Sequence, residues 1–368
     1  MNGDDTGDTG DTGDGNNTRA RKRDHLRLVS AGAVQMQDLS NGLERWRLAF
    51  DPFPDLALAD VDCGASFLGR ELSMPFLIGA MSGGVSEATR VNRNLARAAQ
   101  ASGVALELGS MRLALEASRD PRTKERALDG FDLRDLLPDQ AFIGNLGVTI
   151  LHAHGVDAIV GLVRDLRLDA LSLHLNPLHE AFQGQGTTDF SGLRPKVEAL
   201  HGALNRAGLQ LGLKTVGFGA STRALTRLAE LPFDYLELNG AGGTSFTRVE
   251  AARLEAGPRQ KAIRPFLDFG VPLAEGLRAA AWMRQPWALI GGGGLRDGVD
   301  LLKVLALGAS LGSVAAPLLA PALDSAEAVT QALDALREGL RVAMFVTSCR
   351  DVAAVRAAGS ALLEEVLP

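Results

Sequence analysis

The feature that most constrains the fold is an eightfold alternation of short apolar segments with longer amphipathic ones, which begins at residue 75. The short segments cover residues 75–81, 104–108, 141–145, 170–175, 210–214, 234–238, 287–292 and 310–314. Helix-like sequences separate them, such as RDGVDLLKVLALGA at 296–309. This alternation is typical of βαβ units around a parallel sheet. Eight units over about 250 residues predict an α/β TIM (β/α)8 barrel, with a doubly wound open sheet as the alternative.

Polar or glycine-rich residues stand at the end of each predicted strand. They are MSGG (81–84), GSMR (109–112), NLG (145–147), NPLHE (176–180), Lys214, NGAGGTS (239–245), GGLR (293–296) and AAP (315–317). Catalytic and binding residues of (β/α)8 barrels lie at the C-terminal ends of the strands. We therefore expect these segments to form one ring around a single functional site.

Three glycine-rich segments, at 239–245, 291–298 and 309–317, follow the last three strands. Glycine lets the backbone approach an anion, and the next helix N-terminus presents free N–H groups. Because Arg296 and a helix start share one of these segments, we interpret them as phosphate-binding loops rather than as plain tight turns. The sequence contains no GxxxxGK[ST] motif, which excludes a P-loop.

Three charged residues near strand ends are candidates for chemistry. Lys214 closes the fifth strand, where an ammonium suits a cofactor phosphate or an electron-rich ring; the alternative is a surface lysine. Glu180 and Glu250 have the chemistry of Mg²⁺ ligands or proton carriers. A carboxylate at such a position is, by itself, more often a helix N-terminal residue.

Two histidines, His174 and His179, flank Asn176 at the end of the fourth strand. An isolated histidine near a core is usually only hydrogen-bonded, but two in one strand-end segment indicate contact with a substrate. His152 and His154 begin the helix after the third strand, and we interpret them as structural. No HExxH zinc spacing occurs.

The N-terminal region precedes the strand–helix pattern. Residues 1–18 form a Gly/Asp/Thr tail that we expect to be disordered. The following sequence, RARKRDHLRL, contains Arg21, Lys22 and His25, and is either a solvated charge run or an arm that folds over an anionic substrate. We therefore divide the chain into the tail at 1–18, an N-terminal arm and barrel cap at 19–74, and the barrel at 75–368.

Charge and cysteine content argue against several classes of protein. The net charge is −6, and the first 17 residues alone contain five aspartates and no base, so the rest is nearly neutral and unsuited to nucleic acid. Two cysteines cannot form a thiolate metal cluster, and they fit a reducing cytoplasm. The uncharged stretch at 304–323 is long enough for a membrane span, but its glycines and prolines favour a buried helix, turn and strand.

Nine motifs, in order along the chain, resemble those of the type 2 isopentenyl-diphosphate isomerases. They are RKRDH, IGAMSGG, ELGSMR, IGNLG, HLNPLHE, LKTVGFGAS, GAGGTSFTRVEAAR, GGGLRDGVDLLKVLALGA and AMFVTS, and they span Arg21 to about Asp351. The resemblance implies a TIM barrel that binds FMN and converts isopentenyl diphosphate to dimethylallyl diphosphate. It also implies NADPH as the reductant, Mg²⁺ on the diphosphate, reduced flavin as an acid/base near its N5, and a homo-oligomer, a tetramer or octamer.

The resemblance also assigns roles to individual residues. The implied FMN contacts are Ala80, Met81, Ser82, Ser110, Asn145, Lys214, Thr244, Gly293, Gly294, Arg296, Ala315 and Ala316. The implied substrate contacts are Arg21, Lys22, Ser110, Arg112, His174, Asn176 and His179. Glu180 would hold Mg²⁺, and His179 and Glu250 would be catalytic, with Glu250 as a proton relay.

Several substrate-side positions depart from the family pattern. His179 stands where members usually have Gln, Phe246 where they have Trp, and Met111 where they have Gln. Residues 183–187 read QGQGT instead of QPEGD. These departures leave two alternatives open: a diverged flavin enzyme that acts on another prenyl or polyene substrate or oxidises a hydroxy acid, or a non-catalytic binder of flavin or prenyl phosphate.

Overall fold

The structure is a computed structural model of the 368-residue chain. It describes residues 24–25, 27–81, 86–117, 128–184, 186–283 and 285–366. The predicted tail at 1–18 and three predicted site residues, Arg21, Lys22 and Ser82, lie outside the described residues.

Eight parallel strands form a closed barrel, which confirms the predicted TIM barrel and excludes the open sheet. The strands of the described residues are β1 (Trp46–Leu48), β2 (Ala65–Phe67), β3 (Arg70–Leu72), β4 (Phe76–Ile78), β5 (Ala105–Glu107), β6 (Phe142–Gly147), β7 (Ala170–Leu175), β8 (Gln210–Thr215), β9 (Tyr235–Asn239), β10 (Ala288–Gly292), β11 (Leu311–Val314) and β12 (Leu363–Glu365). Strands β4 to β11 follow one another around the barrel in chain order, and β11 closes it by pairing with β4.

Amphipathic helices surround the barrel. In the described residues they are α1 (Ser86–Ser102), α2 (Arg112–Ala117), α3 (Val156–Asp165), α4 (Pro177–Phe182), α5 (Arg194–Arg206), α6 (Thr222–Leu228), α7 (Phe246–Ala251), α8 (Pro258–Ala262), α9 (Leu273–Trp282), α10 (Gly298–Ala306), α11 (Leu319–Asp324), α12 (Ala326–Phe345) and α13 (Val352–Ala358). In α1 the buried residues Ala88, Val91, Leu95 and Ala98 recur every three or four positions, so one stripe of the helix faces the core.

The two ends of the barrel interior differ in polarity. The N-terminal end is apolar, and Phe67 of the β2–β3 hairpin packs there edge-on against Tyr235, with ring centroids 5.5 Å apart. Nearer the C-terminal ends, Lys214 of β8 forms ion pairs with Glu107 and Glu237. Strands β5 and β8 are not neighbours, so these side chains meet inside the barrel. The polar layer therefore faces the loops that the sequence predicts to form the site.

The N-terminal segment at 34–41, here named the strap, lies across the loops that follow β9 and β10. The N–H of Ser245 donates to the carbonyl of Val34 at 2.8 Å, and Asn41 Nδ2 donates to the carbonyl of Gly294 at 2.8 Å. The strap is thus hydrogen-bonded to both glycine-rich loops, the one after β9 and the one after β10. It belongs to the part of the chain that the sequence assigns to an arm and cap.

The uncharged stretch at 304–323 contains the end of α10, the strand β11 and the start of α11, as the sequence predicts. Its apolar side chains, among them Val304, Leu305 and Leu318, are buried in the main core. Among the described helices, none combines the length and the apolar character that a bilayer crossing requires.

Candidate active site

A cavity of about 270 Å³ lies at the C-terminal ends of the barrel strands. The predicted site residues that line it are Ala80, Met81, Ser110, Arg112, Asn145, His174, Asn176, His179, Glu180 and Lys214. They follow or end β4, β5, β6, β7 and β8. The structure therefore brings the strand ends from the first five barrel strands to one cavity.

The remaining predicted flavin contacts do not line this cavity but lie in the loops after β9, β10 and β11. They are Thr244, Gly293, Gly294, Arg296, Ala315 and Ala316. A Cβ added to Gly243 would lie 2.6 Å from Gly294 N, and Gly293 and Gly294 have φ angles of 105° and 75°. A residue with a Cβ would prevent the close approach of these two backbones, so the positions require glycine. The backbone amide groups of the two loops are thereby brought together in a concave arrangement that suits a phosphate.

Arg296 is engaged within its own loop. Its Nε donates to Asp300 Oδ2 at 2.9 Å, and this carboxylate raises the pKa of the guanidinium. Asp297 caps α10 by accepting the N–H of Asp300 at 2.9 Å. The N-terminus of α10 therefore has a protein carboxylate at its first turn.

Lys214 is buried between two carboxylates that sequence reasoning missed. Its Nζ lies 2.9 Å from Glu237 Oε2 and also donates to Glu107 Oε2. Ser313 Oγ donates to Glu237 Oε1 at 2.9 Å, and the N–H of Ala80 donates to Glu107 Oε2 at 3.2 Å. A signal was present, because each glutamate interrupts an otherwise apolar strand, in the sequences VALEL and DYLEL.

One ammonium cannot neutralise two buried carboxylates, so the pKa values of the two glutamates are shifted in opposite directions. Burial, and then repulsion by Glu237, raise the pKa of Glu107 to about 7. Burial opposes ionisation of Glu237 too, but Lys214 and its hydrogen bonds lower the pKa of that carboxyl overall. Lys214 and Glu237 therefore form the ion pair, which carries no net charge, while Glu107 changes its protonation near neutral pH.

His174 lies deep in the cavity wall. Its Nδ1 is 2.8 Å from Asn145 Oδ1, so this nitrogen carries the proton and donates. Burial, the charge of Lys214 and then His179 lower the pKa of His174 to about 3. The imidazole is therefore neutral at physiological pH, and it fixes the amide of Asn145.

A second cluster joins the N-terminal region to the barrel. The Nε2 atoms of His25 and His179 both lie 3.0 Å from Glu250 Oε1, and Arg253 Nη1 donates to Glu250 Oε2 at 3.0 Å. The His179 ring also packs on Phe246, with centroids 5.1 Å apart. Burial opposes ionisation of Glu250, but its hydrogen bonds from both imidazoles outweigh burial and lower its pKa far below the usual value. The sequence places His25 in an arm that is either a solvated charge run or a cover for an anionic substrate, but it does not predict the contact with Glu250.

Glu180 lies in the first turn of α4, beside the cavity. Its Oε1 accepts a hydrogen bond from Asn176 Nδ2 at 2.9 Å, and its Oε2 accepts the N–H of Thr187 at 2.7 Å. These bonds orient the carboxylate and leave further lone pairs on each oxygen. One carboxylate at a polar cavity fits Mg²⁺, which takes its other ligands from water and substrate phosphates.

The amino-acid sequence of the chain is similar, over 92% of its length, to proteins of known family. The isopentenyl-diphosphate delta-isomerase of Mycobacterium marinum is 37% identical over 344 residues, which cover 92% of this chain and 96% of that protein. The protein of the same name from a Synechococcus species is 39% identical over 341 residues, which cover 92% of this chain and 95% of that protein. The chain belongs to the isopentenyl-diphosphate delta-isomerase family.

The type of isomerase follows from a second match. The profile of the FMN-dependent dehydrogenase family matches residues 271–361 of this isomerase-family chain, a stretch that contains α9, β10, α10 and β11. Together, the two matches place the chain in the FMN-dependent, type 2 branch of the isomerases, as its motifs predict.

Solved structures with the same fold are more distant from this isomerase-family chain in sequence. A mandelate oxidase variant has a TM-score of 0.60 at 19% identity, and the match covers 94% of this chain and 99% of that one. A flavocytochrome b2 mutant has a TM-score of 0.63 at 18% identity, with 93% and 86% covered. These likenesses show the shared barrel fold.

Proposed function

We propose that this chain interconverts isopentenyl diphosphate and dimethylallyl diphosphate at the C-terminal end of its barrel, with FMN and Mg²⁺ bound there. The observation that carries the proposal is the identity to isopentenyl-diphosphate delta-isomerases across 92% of the chain. The cavity supports it, because Asn145, His174 and Lys214 line the same space.

The residues suit a flavin phosphate and a flavin ring. The glycine loops around Gly243 and Gly294 and the backbone at Ala315 and Ala316 would hold the phosphate, and Lys214 would face the ring. Reduced FMN, when bound, supplies an acid/base group at its N5 that exchanges protons with the substrate without net oxidation. Lys214 is kept charged by Glu237, so it favours negative charge that develops next to it.

The diphosphate would lie among cationic and polar residues on the other side of the cavity. Arg112, which pairs with Glu116 at 2.8 Å, lines the cavity, and Arg21 and Lys22 are further candidates from the predicted arm. Glu180 would hold Mg²⁺, which would neutralise part of the diphosphate charge.

The isomerisation adds one proton to the terminal methylene carbon and removes one from the allylic CH2 carbon on the other side of the branched carbon, so protons move and no electrons are lost. Glu250 remains ionised because two imidazoles donate to it, and His179 lines the cavity. An imidazole hydrogen-bonded to an ionised carboxylate is suited to accept and return a proton, because the carboxylate stabilises the protonated ring. We assign the relay to this pair.

The test is direct. The purified protein, reduced under anaerobic conditions and supplied with Mg²⁺ and isopentenyl diphosphate, should form dimethylallyl diphosphate without net change in the flavin spectrum. Omission of the reductant is the control and should abolish product. Absence of product from a fully flavinated, fully reduced sample would rule the proposal out.

A second candidate is oxidation of a hydroxy acid or another prenyl or polyene substrate by the same flavin, and it is favoured by His179 beside Glu250. For a hydroxy acid, a histidine base would take the hydroxyl proton, bound FMN would supply the acceptor for the hydride of the hydroxyl-bearing carbon, and an external oxidant would be needed to restore oxidised FMN. Anaerobic bleaching of the flavin by such a substrate, without isopentenyl diphosphate, would support this function.

We further propose that NADPH reduces the flavin, that the protein acts in the cytoplasm, and that it forms a homo-oligomer, a tetramer or octamer. Exposed aromatic side chains favour assembly, since Phe53 and Trp282 are 86% and 85% exposed in the single chain. Light scattering on a sizing column measures the mass of the assembly.

A further inference from the structure

Three side chains from distant parts of the chain direct their ligand atoms at one point beside the cavity. His25 belongs to the N-terminal region, His179 to α4 and Glu250 to α7. One ligand atom from each residue lies within 4.8 Å of the other two. The side chains are 18%, 9% and 2% exposed, respectively, so their donor atoms are largely removed from bulk water.

We propose that His25, His179 and Glu250 form a binding site for a divalent transition metal such as Zn²⁺ or Co²⁺, distinct from the Mg²⁺ position at Glu180. Two imidazoles and one carboxylate select such metals over Mg²⁺, which prefers oxygen ligands. His25 and His179 also line the cavity, so a metal there would take the place of the proposed proton relay, and the zinc-loaded protein would not isomerise the substrate.

The geometry requires only a small adjustment. Zinc lies about 2.0–2.2 Å from nitrogen and oxygen ligands, so ligand atoms in a tetrahedral site are separated by about 3.3 Å. Both imidazole nitrogens are now 3.0 Å from Glu250 Oε1. A metal would replace the two hydrogen bonds and bind the Nε2 lone pair of each neutral imidazole, and the side-chain amide of Asn176, whose Nδ2 now lies 3.4 Å from His179 Nδ1, would turn its oxygen to that nitrogen.

Neighbouring charges hold the ligands in place. Arg253 donates to Glu250 Oε2 at 3.0 Å and pairs with Asp24 at 3.3 Å, next to His25 in the chain. The carboxylate is thereby fixed with Oε1 toward the imidazoles. Asp24, Arg253 and Glu250 together carry one net negative charge, which favours a cation.

The site is a property of this chain rather than of its family. The motif resemblance implies Gln at the position of His179, and an amide is a much weaker ligand for zinc than an imidazole. The inference does not rest on the proposed isomerase activity, since metal binding is measured without substrate.

The experiment is equilibrium dialysis of the full-length flavoprotein against Zn²⁺ in excess Mg²⁺, followed by elemental analysis, with Co²⁺ absorption as a second reading. We expect one tightly bound Zn²⁺ per chain, and a Co²⁺ spectrum typical of four or five ligands. The variants His179→Gln and His25→Asn should each weaken binding by about 100-fold or more. His152→Gln, which changes another cavity histidine, should leave it unchanged.

Equal Zn²⁺ affinity of the wild type and both variants would overturn the site, as would loss of binding in His152→Gln. Flavin content and thermal melting of each variant show whether it folds. If His25→Asn does not fold, X-ray absorption at the zinc edge of the loaded wild type decides. Scattering from two imidazoles supports the site, and its absence overturns it.

Discussion

The ammonium of Lys214 is held at the C-terminal end of the barrel by ion pairs with Glu107 of β5 and Glu237 of β9. A buried ammonium is stable only when it is paired, and here Glu237 remains ionised while Glu107 titrates. The group that would face the flavin is therefore part of a three-residue unit. Changes in any member should affect the other two.

Replacement of Lys214 by Met should leave Glu237 buried without its cation. We expect the free energy of unfolding to fall by about 3–5 kcal/mol, together with loss of bound flavin. Urea unfolding and flavin absorbance per chain measure the two effects. Lys196→Met is the control, because the hydrogen bond of Lys196 to His152 is exposed to solvent. Unchanged stability and flavin content would contradict this account of the cluster.

Glu107 should make stability depend on pH. Its pKa is about 7 in the folded chain, above the ordinary value of 4.5, so folding favours its protonated form. The stabilisation is complete below about pH 4.5 and is lost as pH rises through about 7. The stability of Glu107→Gln relative to wild type should therefore increase between about pH 5 and 8, measured by urea unfolding at each pH. Glu364→Gln, at an exposed pair, should show no such trend.

Glu250→Gln should slow turnover without removing flavin. The amide keeps the size of the side chain but cannot accept a proton, so kcat should fall by about 10²- to 10⁴-fold. The rate of product formation at saturating isopentenyl diphosphate measures kcat. The control is Glu116→Gln, which removes a different carboxylate that lines the cavity. A variant with wild-type kcat would remove Glu250 from the relay.

At the scale of elements, hydrophobic patterning was sufficient for the barrel and insufficient for part of the site. All eight apolar segments became barrel strands, because each strand has its own local signal of apolar residues and turns. Glu107 and Glu237 were missed because their apolar neighbours dominate the pattern. The contact of His25 with Glu250 was missed because it joins residues 225 positions apart, which no local pattern encodes.

The strap should contribute to the shape of the flavin-phosphate loops. Asn41 donates to Gly294 O at 2.8 Å and accepts the N–H of Leu43 at 3.0 Å. Asn41→Ala leaves both partners unsatisfied, so we expect a loss of about 1–3 kcal/mol of stability and weaker FMN binding. Thermal melting and flavin titration test this, with Ser30→Ala, at an exposed residue, as the control. FMN affinity equal to wild type would show that the loops hold their shape alone.

At the scale of the whole molecule, the barrel is apolar at its N-terminal end, closed there by the β2–β3 hairpin, and polar at its C-terminal end. The scaffold and the site thus occupy opposite ends. Substitutions at the closed end are expected to change stability, and those at the open end to change ligand binding.

The proposed assembly gives a prediction at this scale. Trp282 ends α9 and is 85% exposed, so it is a candidate contact between copies. Trp282→Glu should shift the protein toward a smaller species, and the conservative Trp282→Phe should not. Light scattering on a sizing column reports the mass. An unchanged mass for Trp282→Glu would exclude this surface from the interface.

Strand β1 pairs antiparallel with β12, the last described strand, with Trp46 opposite Glu365 and Leu48 opposite Leu363. During translation, β1 leaves the ribosome long before its partner has been synthesised. The nascent chain therefore carries an unpaired strand edge until β12 has been synthesised, after all the barrel strands, and a ribosome-stalled product lacking β12 should need chaperone protection that the released protein does not.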